Sequence, residues 1–195
     1  MLAQLLAQLA ALPQAEFAPG TGTGRFGIAR AVLGLQGLAQ CQAPGLSPHC
    51  VVADSGPLLA LFNSADLWHL RVLSWLQANA QATLLTTWPV LTEVCALLAR
   101  RLGNAAALDF LRWGQRGGFT LDAPALEALP DALAQVLLIS ERFHDLPFDL
   151  ADASVAEAAA RLGLRHVLTI DSDFDVYRDA QGRALRHVLR DGWLS

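Results

Sequence analysis

No lysine occurs in this 195-residue chain; all 14 of its basic residues are arginine. That excludes chemistries built on a lysine ammonium, among them the phosphate-gripping lysine of a P-loop and Schiff-base catalysis. With a net charge of −4 there is no global basic field to hold nucleic acid, so any polyanion must be gripped by a local arginine patch. Cys41, Cys50 and Cys95 form no Cys-x-x-Cys pair, and their odd number and wide spacing suggest neither a zinc site nor a disulfide framework. Reduced thiols in a cytoplasmic protein are the expectation. The first fifteen residues hold no Lys or Arg, so the charged start of a secretory signal is missing. The uncharged stretch 72–92 is interrupted by Gln77, Asn79, Gln81 and Pro89, unlike the ~20 apolar residues of a membrane span. A soluble protein with no membrane partner is expected.

Hydrophobic residues make up 53% of the chain and charged ones 16%, which excludes disorder and implies a sizeable buried core. The charges are unevenly placed. Residues 1–49, rich in Ala, Leu, Gln and Gly, hold only Glu16, Arg25 and Arg30. This shift divides the chain into an N-terminal extension, 1–49, and a main domain, 50–195. In the extension Leu2, Leu5, Leu6, Leu9 and Leu12 recur at helical spacing up to Pro13, and a second short helix is expected over 28–39. Between them Gly22-x-Gly24-x-x-Gly27 has the form of a dinucleotide fingerprint. No strand precedes it and no acid follows at about 20 residues, so it reads as a flexible linker.

From Val51 short apolar runs alternate with amphipathic segments, the pattern of a parallel sheet flanked by helices. Strands are predicted over 51–53, 83–87, 119–121 and 166–170, with an edge strand over 185–189. Helices are predicted after Asp54-Ser55-Gly56-Pro57 through Phe62, over 67–78, along the stripe Val90, Leu91, Val94, Leu97 and Leu98, and over 104–113, ended by Gly114 and Gly117-Gly118. Two more follow, over 125–143 with a break at Pro130 and over 150–162 with Gly163 as the stop.

The informative residues are carboxylates at the ends of these elements. In an open α/β sheet, ligands bind outside the carboxyl ends of the strands. Asp54 follows the first strand and Asp171 follows the strand predicted over 166–170, with Asp173 two residues on. Asp149 and Asp152 open the preceding helix, and Glu93 lies near the start of the helix after 83–87. Singly, each has an ordinary explanation. Asp54 and Asp149 suit helix N-caps, Glu93 a solvated face near Arg100, and Asp173 with Asp175 the cap of a short helix. Those explanations give no reason for the acids to gather at one end of the sheet. Gathered there, they would raise one another's pKa until a divalent cation neutralised them. All-oxygen ligands select a hard ion, Mg²⁺ or Mn²⁺, and such an ion suits phosphodiester hydrolysis by a bound water.

The segments VVADSGPLLALFN, TTWPVLTEVCALLARR and DLPFDLADASVAEAAARLGLRHVLTIDSDFDVYR resemble, in order and spacing, the signature blocks of the PIN-domain family, which includes the VapC-like toxin ribonucleases of bacterial toxin–antitoxin pairs. The resemblance covers residues 51–191. It implies a Rossmann-like three-layer α/β/α fold with a central, mostly parallel sheet, and a Mg²⁺- or Mn²⁺-dependent endoribonuclease that leaves a 5′-phosphate and a 3′-hydroxyl. It also implies Asp54, Glu93, Asp152 and Asp171 as the four catalytic acids, the metal being held by Asp54, Asp152 and Asp171, with Asp173 and Asp149 as further candidates. RNA as substrate, a small antitoxin as partner and a homodimer come with the same resemblance.

Ser55 is a candidate to orient a phosphate, although a helix-start hydrogen bond explains it too. Arg178, Arg183, Arg186 and Arg190, beyond the acidic loop, are candidates for the RNA backbone, with a solvated face as the alternative. Trp68, Trp75, Trp88, Trp113 and Trp193 offer stacking surfaces, though core packing accounts for most tryptophans. The sequence departs from the family at its amino end, where about fifty residues precede the first aspartate. They are either a helical appendage or an upstream start site, an artefact whose Ala/Leu/Gln/Gly bias fits translated GC-rich sequence. Two other functions compete: a non-catalytic RNA- or protein-binding module on the same fold, and a non-toxin Mg²⁺-dependent phosphohydrolase, suggested by Asp171-Ser172-Asp173.

Overall fold

The computed structural model describes residues 49–124, 128–147, 149–178 and 182–191. The helices expected over 2–12 and 28–39, the glycine-rich loop between them, and Trp193 lie outside the described residues. Five strands are formed: β1 (Cys50–Ala53), β2 (Thr83–Thr87), β3 (Thr120–Asp122), β4 (His166–Leu168) and β5 (Arg186–His187). Six helices join them: α1 (Ser55–Phe62), α2 (His69–Ala78), α3 (Trp88–Leu102), α4 (Asn104–Gln115), α5 (Leu129–Arg142) and α6 (Leu150–Leu162). A short 3-10 helix, Ser172–Asp175, follows β4.

The strands pair in the order β3-β2-β1-β4-β5, every pair parallel. Parallel strands covered on both faces read as continuous apolar runs rather than alternation, which is why Cys50, Val51, Val52 and Ala53 are all buried. Helix α6 is buried along most of its length, from Ala151 to Ala159. Its alanines let it press between the sheet and α5, so α5 forms an outer layer with no buried residue of its own.

Several sequence expectations are corrected in detail. Helix α5 begins at Leu129, with Pro130 in its first turn, where its missing N–H has no partner to lose; residues 125–127 of the expected helix lie outside the described residues. Helix α4 runs on to Gln115, so Gly114 lies inside it, where a Cβ would fall 2.4 Å from the Phe119 ring, and Gly117, with φ +88°, follows its end. Strand β4 stops at Leu168, and β5 keeps only Arg186 and His187. Cys50 is disulfide-bonded and Cys95 is free, against the expectation of three reduced thiols. Sequence spacing does not report the short Cα separation on which a disulfide depends. Among the described residues no helix is long and apolar enough to cross a membrane.

At the end of the core nearest β3, Phe110 is fully buried, with ring centroids 5.4 Å from Phe62, 5.2 Å from Phe119 and 6.2 Å from Trp113. This cluster locks α4 against α1 and the start of β3. Phe110→Ala is expected to destabilise the protein by about 3–5 kcal/mol, read as a lower urea midpoint with an unchanged slope.

Candidate active site

The chain builds β1, moves outward to β2 and β3 on one side, then crosses to β4 and β5 on the other. The order therefore reverses at β1, and the carboxyl ends of β1 and β4 bound the crevice where such sheets bind ligands.

Asp54 is the first residue after β1. Its backbone N–H continues the ladder to the Leu168 carbonyl at 3.0 Å. Its side chain is 3% exposed. Oδ1 accepts hydrogen bonds from the Ser55 N–H and, at 3.3 Å, the Ser55 hydroxyl; Oδ2 accepts from the Thr169 hydroxyl at 2.9 Å. Burial pushes the carboxyl up to about 6; the bonds from Thr169 and Ser55 pull it down, and Asp171 and Glu93 push it up again.

Asp149 caps α6, its Oδ1 accepting from the Ala151 and Asp152 N–H groups at 2.7 and 3.2 Å. Asp152 in the first turn is pushed up to about 8, chiefly by burial and then by Asp54, Asp149, Asp171 and Glu93. Asp171 caps the 3-10 helix by accepting from the Asp173 N–H at 2.9 Å. Burial and Asp171 raise Asp173 above the usual carboxylate range. One oxygen from each of Asp152, Asp171 and Asp173 lies within 4.8 Å of the others. Asp54 and Glu93 flank this trio at electrostatic range, Glu93 half-buried on α3. Capping and clustering are thus not rival explanations: Asp54, Asp149 and Asp171 do both. Asp175 turns away from the cluster to a bidentate pair with Arg190 at 2.7 and 2.9 Å, which holds it below its ordinary value.

Sequence reasoning missed the groups that aim these acids. Thr169 donates to Asp54 and accepts the Asp171 N–H at 3.0 Å, so one hydroxyl joins two acids. Thr87 caps α3 and lies 2.6 Å from the Ser154 hydroxyl, which bonds the Ala151 carbonyl at 2.7 Å. This relay ties the start of the Glu93 helix to that of the Asp152 helix. Gly56 lets α1 close on Ile170, whose Cγ1 would lie 2.7 Å from an added Cβ. The only sequence signal was threonine at strand ends, which β-propensity alone would explain.

The polar candidates fare differently. Ser55 bonds Asp54, at the helix start. Arg178 turns Nη1 back onto the carbonyls of Asp175, Val176 and Tyr177. Arg190 is held by Asp175 and Asp191, whereas Arg183 and Arg186 have exposed side chains. Trp68, Trp75 and Trp113 pack on the core, and Trp88 is 56% exposed at the start of α3.

A carboxylate whose folded pKa is raised contributes its stability below the unfolded value, here 3.8, and loses it as pH rises through the folded value. Metal-free protein is therefore expected to lose stability as pH rises from about 4 through about 6 (Asp54) to about 8 (Asp152). In EDTA at pH 8, Asp152→Asn should raise the Tm by a few degrees and flatten the decline, as followed by circular dichroism melts. An unchanged Tm would mean that Asp152 is not under repulsion.

No protein-family model matches the chain. Ribonuclease VapC26 of Mycobacterium tuberculosis (strain ATCC 25618 / H37Rv) is 30% identical over 122 residues, 62% of this chain and 86% of that protein. The crystal structure of Mycobacterium tuberculosis VapC20, a sarcin-ricin loop cleaving toxin, superposes with a TM-score of 0.59 at 22% identity, over 68% of this chain and 98% of that one. The second likeness speaks for the fold, and the first carries sequence kinship across most of a ribonuclease. On those two grounds, and in agreement with its three sequence blocks, the chain belongs to the VapC-like ribonucleases of the PIN-domain family.

Proposed function

We propose that this protein is a Mg²⁺- or Mn²⁺-dependent endoribonuclease, the toxin of a toxin–antitoxin pair, and that its catalytic acids are Asp54, Glu93, Asp152 and Asp171. The observation that carries this reading is the approach of Asp152, Asp171 and Asp173 within 4.8 Å, with Asp54 and Glu93 close enough to add to the repulsion. The donor set, carboxylate oxygens alone, fits a hard divalent ion. Asp152, Asp171 and Asp173 would hold it, with Asp54 completing the set; Asp149 commits one oxygen to the helix cap. When bound, the ion supplies Lewis acidity, activating a water and neutralising charge on the scissile phosphate.

The chain's own groups prepare that chemistry. Thr169 and the Ser55 N–H hold the Asp54 carboxylate in one orientation at the floor of the crevice. Glu93, on α3, is the carboxylate that takes the proton from the attacking water. The Ser55 hydroxyl orients a phosphate oxygen at the mouth. Arg178, bridged to Ala184 and with Nη1 turned onto its own loop, and the neighbouring Arg183 lie beside the acidic turn and contact the RNA backbone there. RNA binding should then weaken as salt rises.

The exposed leucines of α5, Leu129, Leu133, Leu137 and Leu138, support a protein-binding face for a small antitoxin or a second copy of the chain. An RNA substrate places the protein in the cytoplasm. The division into an extension, 1–49, and a nuclease domain, 50–195, belongs to the same proposal, since the sheet begins at Cys50.

The test is cleavage of a mixed RNA pool by purified protein with Mg²⁺, with Mn²⁺ and with EDTA. Cleavage is expected only with metal, and Asp54→Asn or Asp152→Asn should each slow it at least about a hundredfold. A folded, metal-binding protein that leaves RNA intact would overturn the proposal.

A further inference from the structure

Beside the acid cluster lies a concavity of about 250 Å³, lined by Phe143, His144, Leu146, Pro147, Asp149 and Tyr177 among others. It is too small for a drug-sized molecule and suits a single flat ring system. Its walls are of two kinds. Phe143 and Tyr177, packed edge to face at 5.1 Å, with Leu146 and Pro147 give an apolar, aromatic surface. Asp149 and the Tyr177 hydroxyl give it a polar edge.

The Tyr177 hydroxyl is the pointed feature. The residue is 4% exposed and lines the concavity. Its phenol is a hydrogen-bond donor as well as an acceptor. Burial, together with Asp152, Asp173, Asp149 and Asp171, pushes it up to about 12, so it stays protonated and able to donate. The same influence places the ring next to the acid cluster. Asp149 spends Oδ1 on the α6 cap, and its Oδ2 makes no hydrogen bond among the described residues. Its negative charge keeps a phosphate out while accepting an N–H.

We propose that this concavity is a base-binding subsite, taking a purine of the RNA strand next to the scissile phosphate. Phe143 and Tyr177 form its aromatic wall, the Tyr177 hydroxyl donates to a ring nitrogen or carbonyl, and Asp149 Oδ2 accepts from a base N–H. A splayed base read by stacking and edge hydrogen bonds is how proteins recognise single-stranded RNA, and two fused rings fill the space better than one. Tyr177 and Asp149 are then specificity residues, positioned outside the reacting atoms. The inference rests on the ribonuclease reading, but its test does not.

The four nucleoside monophosphates GMP, AMP, CMP and UMP are titrated into the full-length protein by calorimetry, and the 5′ ends of products from the mixed RNA pool are sequenced in parallel. GMP or AMP should bind about tenfold tighter than CMP and UMP. Tyr177→Phe, which keeps the ring, should weaken GMP and AMP binding several-fold through loss of the donated bond, narrowing the preference without abolishing it, and soften the base preference at one position flanking the cut. Asp149→Asn retains an N-cap yet puts a donor where the acceptor was, and should change which base is preferred. Equal affinity for all four nucleotides, or a preference unmoved in both variants, would overturn the subsite; an antitoxin side chain as the natural occupant would give that result. Purine-selective binding without RNA cleavage would sink the ribonuclease reading and leave the subsite standing.

Discussion

One hydroxyl holds the centre of this molecule together. Thr169 stands where β4 leaves the sheet, donates to the buried carboxylate of Asp54 at the end of β1, and accepts the N–H of Asp171. Without a donor on Oδ2, Asp54 would face Asp171 and Glu93 with only Ser55 to favour its charged form. With it, an acid that is 3% exposed stays near its tipping point, at about 6, and the ends of two strands share one polar anchor.

From this anchor the cluster spreads along three helix starts. Each acid is delivered by an N-terminus: Asp54 before α1, Asp152 in the first turn of α6, and Asp171 before the 3-10 helix. Helix starts point unpaired N–H groups and positive dipole ends at the crevice, which partly offsets the repulsion among the carboxylates. The offset is incomplete, since Asp152 still sits near 8. The fold thus keeps several carboxylates under mutual repulsion, delivered in part by α6, which is packed by alanines against the sheet.

The architecture also explains why one crevice serves both the acids and the neighbouring concavity. Asp149 belongs to both: one oxygen caps the helix bearing Asp152, and the residue forms part of the wall that Tyr177 completes. Tyr177 follows the acidic 3-10 turn directly, so the segment that places Asp171 and Asp173 also places the phenol.

Much of the fold was legible in the chain itself. The strand at 83–87 and the helix at 150–162 match the structure residue for residue, because apolar runs, an Asp cap and a closing glycine are local signals. The placing of Asp54, Asp152 and Asp171 at element ends was legible too, since such positions can be read in one dimension. Proline and glycine were less so. Pro130 starts a helix and Gly114 lies within one, and only the neighbours decide between these roles and a break. What tertiary structure alone decided was which oxygens meet: Asp152, Asp171 and Asp173 as the close trio, Asp175 drawn off to Arg190, Thr169 and Ser154 as the bonds between elements. Sequence determines where a carboxylate sits along its own element; only the packing of α6 and β4 beside β1 sets the distances on which charge, pKa and metal affinity depend.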